Sequence, residues 1–362
     1  MATVAIIMPR GMHFSPRAAS SIDLCVRDAV LNSEFHSRTH IVCEEIADYF
    51  PGFSVRPFRK SSKFIRLNEI RKILREIRPD LIVAQQHLPT ASALAKAFPE
   101  TKVLLHKHNF IKESSGFRQQ RRYRQLNRLA GILHVSDACQ KQFSAAYPEC
   151  RTKSYVVPNG LDEKEWHPGQ KDHDQVIAVG QISDRKGMAD IAEALARVLP
   201  KYPGWSAKVI GAMSEDQGTK ERFLAALTMT DRVEWVGYLP HAEVVAEVCR
   251  SKIAIVNSRE EAFGRVALEA FAGGAALISS EVGGLKEVVS GACMPLVEGS
   301  SAEIADKLED LIKDPSQVEE LASLGRARFL DQYTIEQSAR ALDCAFVDVL
   351  GNAPSALSNQ DP

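Results

Sequence analysis

Glu269 is the only charged residue in the run Val266-Ala267-Leu268-Glu269-Ala270-Phe271-Ala272. The run is apolar on every side of a helix, which predicts a largely buried helix beginning near Gly264. A carboxylate kept inside such a helix needs hydrogen-bond donors or a counter-ion. Glu261 falls eight positions earlier, in the loop at the mouth of the same helix. A helix that starts there leaves the backbone N–H groups of Gly264, Arg265 and Val266 without intrahelical partners, a ready site for an anion. One compact unit can thus hold a phosphate with a carboxylate to either side, suited to binding hydroxyls. That is the chemistry of a sugar nucleotide. The plainer alternative is an ordinary first-turn glutamate set against the helix dipole.

The scaffold that must position these residues is legible as short apolar runs alternating with helical stretches. Strands are expected at 3–8, 40–43, 80–84, 102–106, 131–135 and 154–157 in the first half. The second half repeats the pattern at 175–179, 207–210, 233–236, 253–257, 275–279 and 294–297. Amphipathic helices lie between them, such as 67–78 with Leu67, Ile70, Leu74 and Ile77 on one stripe. This alternation is the mark of βαβ units and parallel sheets. Pro158-Asn159-Gly160-Leu161-Asp162 and the polar stretch 167–174 read as a linker. A first domain over 1–165, a second over 170–333, a helical end to about 350 and a disordered tail over 351–362 follow. The expected fold is α/β, two doubly wound domains facing a cleft, where such sheets bind ligands beyond their strand C-termini.

A chain of 362 residues suits two domains, and 45% hydrophobic with 25% charged residues excludes wholesale disorder. Seven scattered cysteines without a Cys-x-x-Cys pair argue against a disulfide framework or structural zinc and fit the reduced cytoplasm. No apolar stretch is long enough to span a membrane, and the first apolar run is too short for a signal peptide. The net charge of −1 hides an asymmetry. Residues 1–160 hold 25 Lys and Arg against 13 Asp and Glu, whereas 161–362 hold 20 against 33. The basic residues concentrate at 56–78 and 118–128. Such a first half is expected to associate peripherally with an anionic membrane surface, the inner face of the cytoplasmic membrane, losing its grip as salt rises.

Glu261 and Glu269, framing Phe263-Gly264, resemble the paired-glutamate motif of family-four retaining glycosyltransferases of GT-B fold. Four further segments resemble that family in the same order. Val157-Pro158-Asn159-Gly160-Leu161-Asp162 is similar to its domain junction. Val179-Gly180-Gln181-Ile182-Ser183-Asp184-Arg185-Lys186-Gly187 is similar to the first phosphate loop of its second domain. Val236-Gly237-Tyr238-Leu239-Pro240 resembles the loop that approaches the nucleotide base, and Val282-Gly283-Gly284-Leu285-Lys286-Glu287-Val288 resembles the glycine-rich turn after the glutamate helix. The likeness is strong over about 155–335 and one of pattern before that.

The resemblance implies two Rossmann-like domains, the last helix (about 334–350) crossing back to the first, and hexosyl transfer from a UDP- or GDP-sugar to a glycan or glycolipid. It implies that Glu269 accepts from the ribose hydroxyls, that Glu261 holds a hydroxyl of the donor sugar, and that Phe263, Gly264, Arg265 and Val266 present N–H groups near sugar and phosphate. Lys186 would stand on the diphosphate. Gln181 occupies a position where the family usually has arginine, so Lys186 carries more of the charge stabilisation, with Arg185 or Arg265 as candidate compensators. In the acceptor domain, Gly11 and His13 follow the first strand, and a histidine is implied near the reacting groups. Of His106 and His108, the latter is preferred because His106 falls inside its strand. No Asp-x-Asp run offers a metal bridge, so transfer without a metal or other cofactor is expected, in lipopolysaccharide-core or exopolysaccharide synthesis, with no nucleic-acid partner. The alternatives are an epimerase or hydrolase of nucleotide sugars on the same architecture, or a non-catalytic scaffold that binds them.

Overall fold

The computed structural model describes residues 2–17, 19–59, 62–171 and 173–351. The chain divides into two compact units, the first running to Gly160 and the second from Leu161 to Thr334. The first unit contains, in chain order, β1 (Val4–Ile7), α1 (Ser21–Leu31), β2 (Thr39–Glu44), β3 (Ser54–Phe58), α2 (Lys63–Ile77), β4 (Leu81–Gln85), α3 (Leu88–Ala97), β5 (Lys102–Lys107), α4 (Gly116–Leu126), β6 (Gly131–His134), α5 (Asp137–Ala146) and β7 (Lys153–Val156). Its strands form one parallel sheet in the order β3-β2-β1-β4-β5-β6-β7. β1, β4 and β6 are buried along their whole length, as strands covered on both faces must be.

The second unit contains β8 (Asp174–Val179), α6 (Met188–Val198), β9 (Trp205–Ile210), α7 (Gln217–Leu227), β10 (Val233–Gly237), α8 (His241–Arg250), β11 (Ile253–Val256), α9 (Arg265–Ala272), β12 (Ala276–Ser280), α10 (Gly283–Val289), β13 (Met294–Leu296), α11 (Ser301–Lys313) and α12 (Pro315–Gln332). Its parallel sheet has the order β10-β9-β8-β11-β12-β13. A last helix, α13 (Ile335–Leu350), returns to the first unit and packs on α1.

In the first unit the sheet separates two cores. On one face Leu24 and Val30 of α1 meet Leu342 and Phe346 of α13; on the other Ile70 and Leu74 of α2 meet Leu94 and Phe143. Each sheet reverses its winding once, between β1 and β4 in the first unit and between β8 and β11 in the second. Loops leaving the strand ends at such a reversal diverge to opposite faces and open a crevice.

The structure amends two readings of the sequence. β3 was not anticipated, because Ser-Val-Arg-Pro-Phe lies at the sheet edge with only Phe58 buried and so shows no apolar run. The segment 161–165, read as part of the first domain, belongs to the second unit. Leu161 N donates to Tyr333 O at 3.0 Å, and Arg326 Nη1 donates to the carbonyl of the fully buried Trp166 at 2.8 Å. The tail expected to be disordered lies, from residue 352 on, outside the described residues. No helix among the described residues is long and apolar enough to cross a membrane.

Candidate functional site

The loop 257–264 leaves the end of β11 and turns into α9 at Gly264, whose φ is +102°. A Cβ there would stand 2.5 Å from Leu285 Cδ1, so only glycine admits both the turn and the approach of α10. Gly284 N donates to Glu261 O at 2.9 Å, and Ser280 Oγ donates to Ser258 O at 2.8 Å, fixing the loop from the far side. Arg265 and Glu269, one helical turn apart, form a buried pair at 3.0 Å with side chains 9% and 8% exposed. This is the counter-ion that a carboxylate in an apolar helix demands.

The loop after β8 closes on this one from the other side of the reversal. Gly187, at φ +60°, caps α6 against the backbone of Asn257. Arg259 N donates to Arg185 O at 2.8 Å, and Arg185 Nη1 donates to Glu260 O at 3.2 Å. Lys186 Nζ pairs with Glu261 Oε2, which also accepts from Ser258 Oγ at 3.3 Å. A small pocket is lined by Val179, Lys186, Met188, Asn257, Ser258, Glu261, Gly264 and Val266. Lysine, glutamate and helix start therefore converge at the winding reversal of the second sheet.

Other residues singled out in the sequence fall around this centre in different ways. The Gly180 N–H donates to Ile210 O at 2.8 Å, and Gly211 N donates to Gly237 O at 2.7 Å, which ties together the loops after β8, β9 and β10. Gln181 is exposed, and Tyr238 is 58% exposed beside Gly237 at φ +73°. The Phe263 ring turns inward, buried against Tyr333 at 5.8 Å between ring centres. Ser258, Asn257 and Arg259 were not picked out. Arg259 braces the phosphate-type loop through Asp190 at 3.0 Å and Asp184 at 3.1 Å. Nothing in the sequence pairs positions so far apart.

In the first unit Gly11 has φ +77° just beyond β1, and His13 O accepts from Cys43 Sγ. His106 ends inside β5 and His108 just past it, yet both are buried, their rings 4.2 Å apart. His108 Nε2 meets Gln85 Oε1 at 2.7 Å. Burial pulls the pKa of His106 down to about 3, with His134 acting in the same direction. Burial, then His106 and Lys107, takes His108 well below its ordinary range, so both rings are neutral at pH 7.

This pair of sheets has the GT-B architecture. The crystal structure of Anabaena Alr3699/HepE in complex with UDP superposes with a TM-score of 0.78 at 18% identity, covering 96% of this chain and 100% of that one. The family model described as "Glycosyltransferase Family 4" matches residues 32–165, and "Glycosyl transferases group 1" matches 162–328. The chain belongs to these glycosyltransferases. Among curated relatives, glycogen synthase of Mycobacterium tuberculosis is 30% identical over 200 residues, 51% of this chain and 46% of its own length. D-inositol 3-phosphate glycosyltransferase of Geodermatophilus obscurus is 31% identical over 218 residues, 54% of this chain and 47% of its own. The chain thus spans about half the length of curated relatives that it matches.

Proposed function

We propose that the protein transfers a hexosyl group from a nucleoside diphosphate sugar, UDP- or GDP-linked, to a glycan or glycolipid acceptor, retaining configuration and using no metal ion. The observation that carries this reading is the Lys186–Glu261 pair beside the start of α9. A nucleoside diphosphate placed on these N–H groups draws Lys186 to its phosphates, and Glu261, relieved of its partner, turns to a hydroxyl of the sugar. Fixed positive potential then stands where the bond to the leaving phosphate breaks, commonly the largest single contribution to catalysis. Lys186 and the helix start supply the charge that a cation would otherwise provide. Departure and attack on one face let the leaving phosphate take the acceptor proton, so the chain need not supply a base. Glu269, with Arg265, is assigned to the ribose. The UDP complex of the HepE neighbour and its complex with UDP-glucose favour a uridine donor.

The first unit, in this reading, takes the acceptor and approaches an anionic membrane as a cytoplasmic, peripheral protein, in lipopolysaccharide-core or exopolysaccharide synthesis. Phe117 and Ile65 are 76% and 54% exposed at the starts of α4 and α2, with Arg75, Arg78, Arg118 and Arg124 also exposed. Lys60 and the Lys63 side chain lie outside the described residues. The decisive test is turnover of UDP- and GDP-sugars with and without glycan acceptors. Lys186→Ala is expected to lower turnover at least ~10²-fold while leaving the circular dichroism unchanged. Near wild-type turnover in that variant refutes the assignment, and donor cleavage indifferent to every acceptor identifies a hydrolase instead.

A further inference from the structure

The winding reversal of the first sheet holds a second, larger pocket of about 640 Å³. Its floor is the end of β1 (Ile7, Met8) and of β4 (Ala84, Gln85), and its walls come from α2, α3 and α4. Among the described residues six cationic side chains line it, Arg10, Arg66, Arg71, Lys96, Arg121 and Arg128, and no acidic residue does. They come from four separate stretches of chain, so their meeting is a product of the fold and not of local composition.

Arg66 is buried, Arg71 half-buried and the other four are exposed. Like charges gathered this way repel unless an anion joins them, most of all at Arg66 and Arg71, where water is partly excluded. Among the described residues the buried Glu44 pairs with Arg66 alone, at 3.6 Å. Arg66 is itself a fixed part of the wall. Its Nη2 donates to Met8 O at 2.7 Å and its guanidinium lies 5.4 Å from the Phe58 ring centre. Burial takes its pKa below the ordinary value, Glu44 opposes that, and Arg10 adds to the fall. None of the other five forms an ion pair with a carboxylate among the described residues. Arg128 Nη1 donates to Ser92 Oγ at 3.3 Å, which aims its guanidinium along the wall. Arg71 Nε is buried with no hydrogen-bond partner among the described residues. Between the cations stand Gln85, Gln86, Thr90, Ser92 and Gln125, groups that suit hydroxyls.

We propose that this pocket binds a phosphate-bearing polyol, with the arginine forks on the phosphate and the amides and hydroxyls on the sugar-like part. Guanidinium matches phosphate oxygens two at a time, and Arg71 Nε–H is a donor awaiting such an acceptor. That the bound molecule is the acceptor rests on the proposed glycosyl transfer; that the pocket takes phosphate does not. The phosphate can belong to a soluble sugar phosphate or to a lipid headgroup.

Titration calorimetry of the full chain with glucose 6-phosphate, inorganic phosphate and glucose, and sedimentation with phosphatidylglycerol and phosphatidylcholine vesicles, test the claim without any turnover. Glucose 6-phosphate is expected to bind at least tenfold more tightly than glucose. Arg71→Gln and Arg121→Gln should each weaken it about tenfold or more, the loss of one charge-assisted contact. Arg197→Gln, an exposed position in the second unit, should change nothing. Circular dichroism and UDP binding report whether each variant is folded and its other unit intact. If the soluble probes are bound weakly but phosphatidylglycerol vesicles are held and released by the same two substitutions, the pocket takes the headgroup form of the ligand. Vesicle binding that survives both substitutions, with no preference of the protein for glucose 6-phosphate over glucose, overturns the proposal. UDP binding that fails while glucose 6-phosphate still binds would strike the donor assignment alone.

Discussion

Gly187→Ala isolates how tightly the two loops of the second unit must close. The residue sits at φ +60°, and an added Cβ would stand 2.5 Å from Asn257 Nδ2 and closer still to the Asn257 carbonyl oxygen. Two costs follow. A left-handed conformation for an L-residue costs about 1–2 kcal/mol. Overpacking against a backbone atom that cannot swing aside costs about 1–3 kcal/mol more. The sum, about 2–5 kcal/mol, lowers the melting temperature of a unit this size by roughly 4–20 °C. Gly291 supplies the reference, since it has φ +76° but nothing within 4 Å of its would-be Cβ. Gly291→Ala therefore carries the backbone cost alone, partly offset by a stiffer unfolded chain at about 0.4–1 kcal/mol. Differential scanning calorimetry should separate the two variants by the overpacking cost. UDP affinity should fall in Gly187→Ala, whose clash displaces Lys186, and hold in Gly291→Ala. Equal melting temperatures for the two variants would refute the close approach of the loops.

Glu269→Ala should weaken UDP binding about tenfold or more in calorimetry while changing turnover at saturating donor little, because a ribose contact is made equally in ground and transition states. Phe346→Ala removes a ring that is 1% exposed and lies edge-on to Phe35 at 5.5 Å, and should cost about 3–5 kcal/mol in urea unfolding of the first unit. The buried histidines make that unit acid-sensitive. His106 is lowered to about 3 and His134 to about 4, both chiefly by burial, while the unfolded rings titrate near 6.5. Below about pH 6.5 the unfolded chain takes up protons that the folded one refuses, so stability is full above that pH and falls towards pH 4. Urea midpoints measured from pH 7 to 4 should show this slope, and His134→Gln should flatten it.

Strands buried on both faces announce themselves as apolar runs, which is why β1, β4, β6, β11 and β12 were legible, whereas the exposed edge strand β3 was not. The return of α13 to the first unit, implied by the resemblance, buries Ala339, Leu342, Ala345 and Phe346 of its apolar stripe and leaves Val349 half-buried. The need of Glu269 for a counter-ion was legible, and Arg265 one turn away meets it. The Lys186–Glu261 contact joins residues 75 positions apart and depends on the winding order of the second sheet. The meeting of the arginines was not legible. Arg66, Arg71, Arg121 and Arg128, which belong to the basic stretches 56–78 and 118–128, line one crevice, Arg66 buried and Arg121 and Arg128 still exposed. Their common destination is set by where α2 and α4 land on the sheet, and no local pattern encodes that.

The return of α13 also sets an order of events during synthesis. The second unit is continuous and can close as soon as residue 334 has left the ribosome. The first unit leaves earlier but lacks the helix that supplies Leu342, Ala345 and Phe346 to one face of its sheet. At roughly 5–20 residues per second, the 190 positions from Gly160 to Leu350 take on the order of 10–40 s to make. Through that interval the apolar face of α1 that packs against α13 stays uncovered. The unit begun first is thus the last to be finished, because its completion waits on the translation of α13.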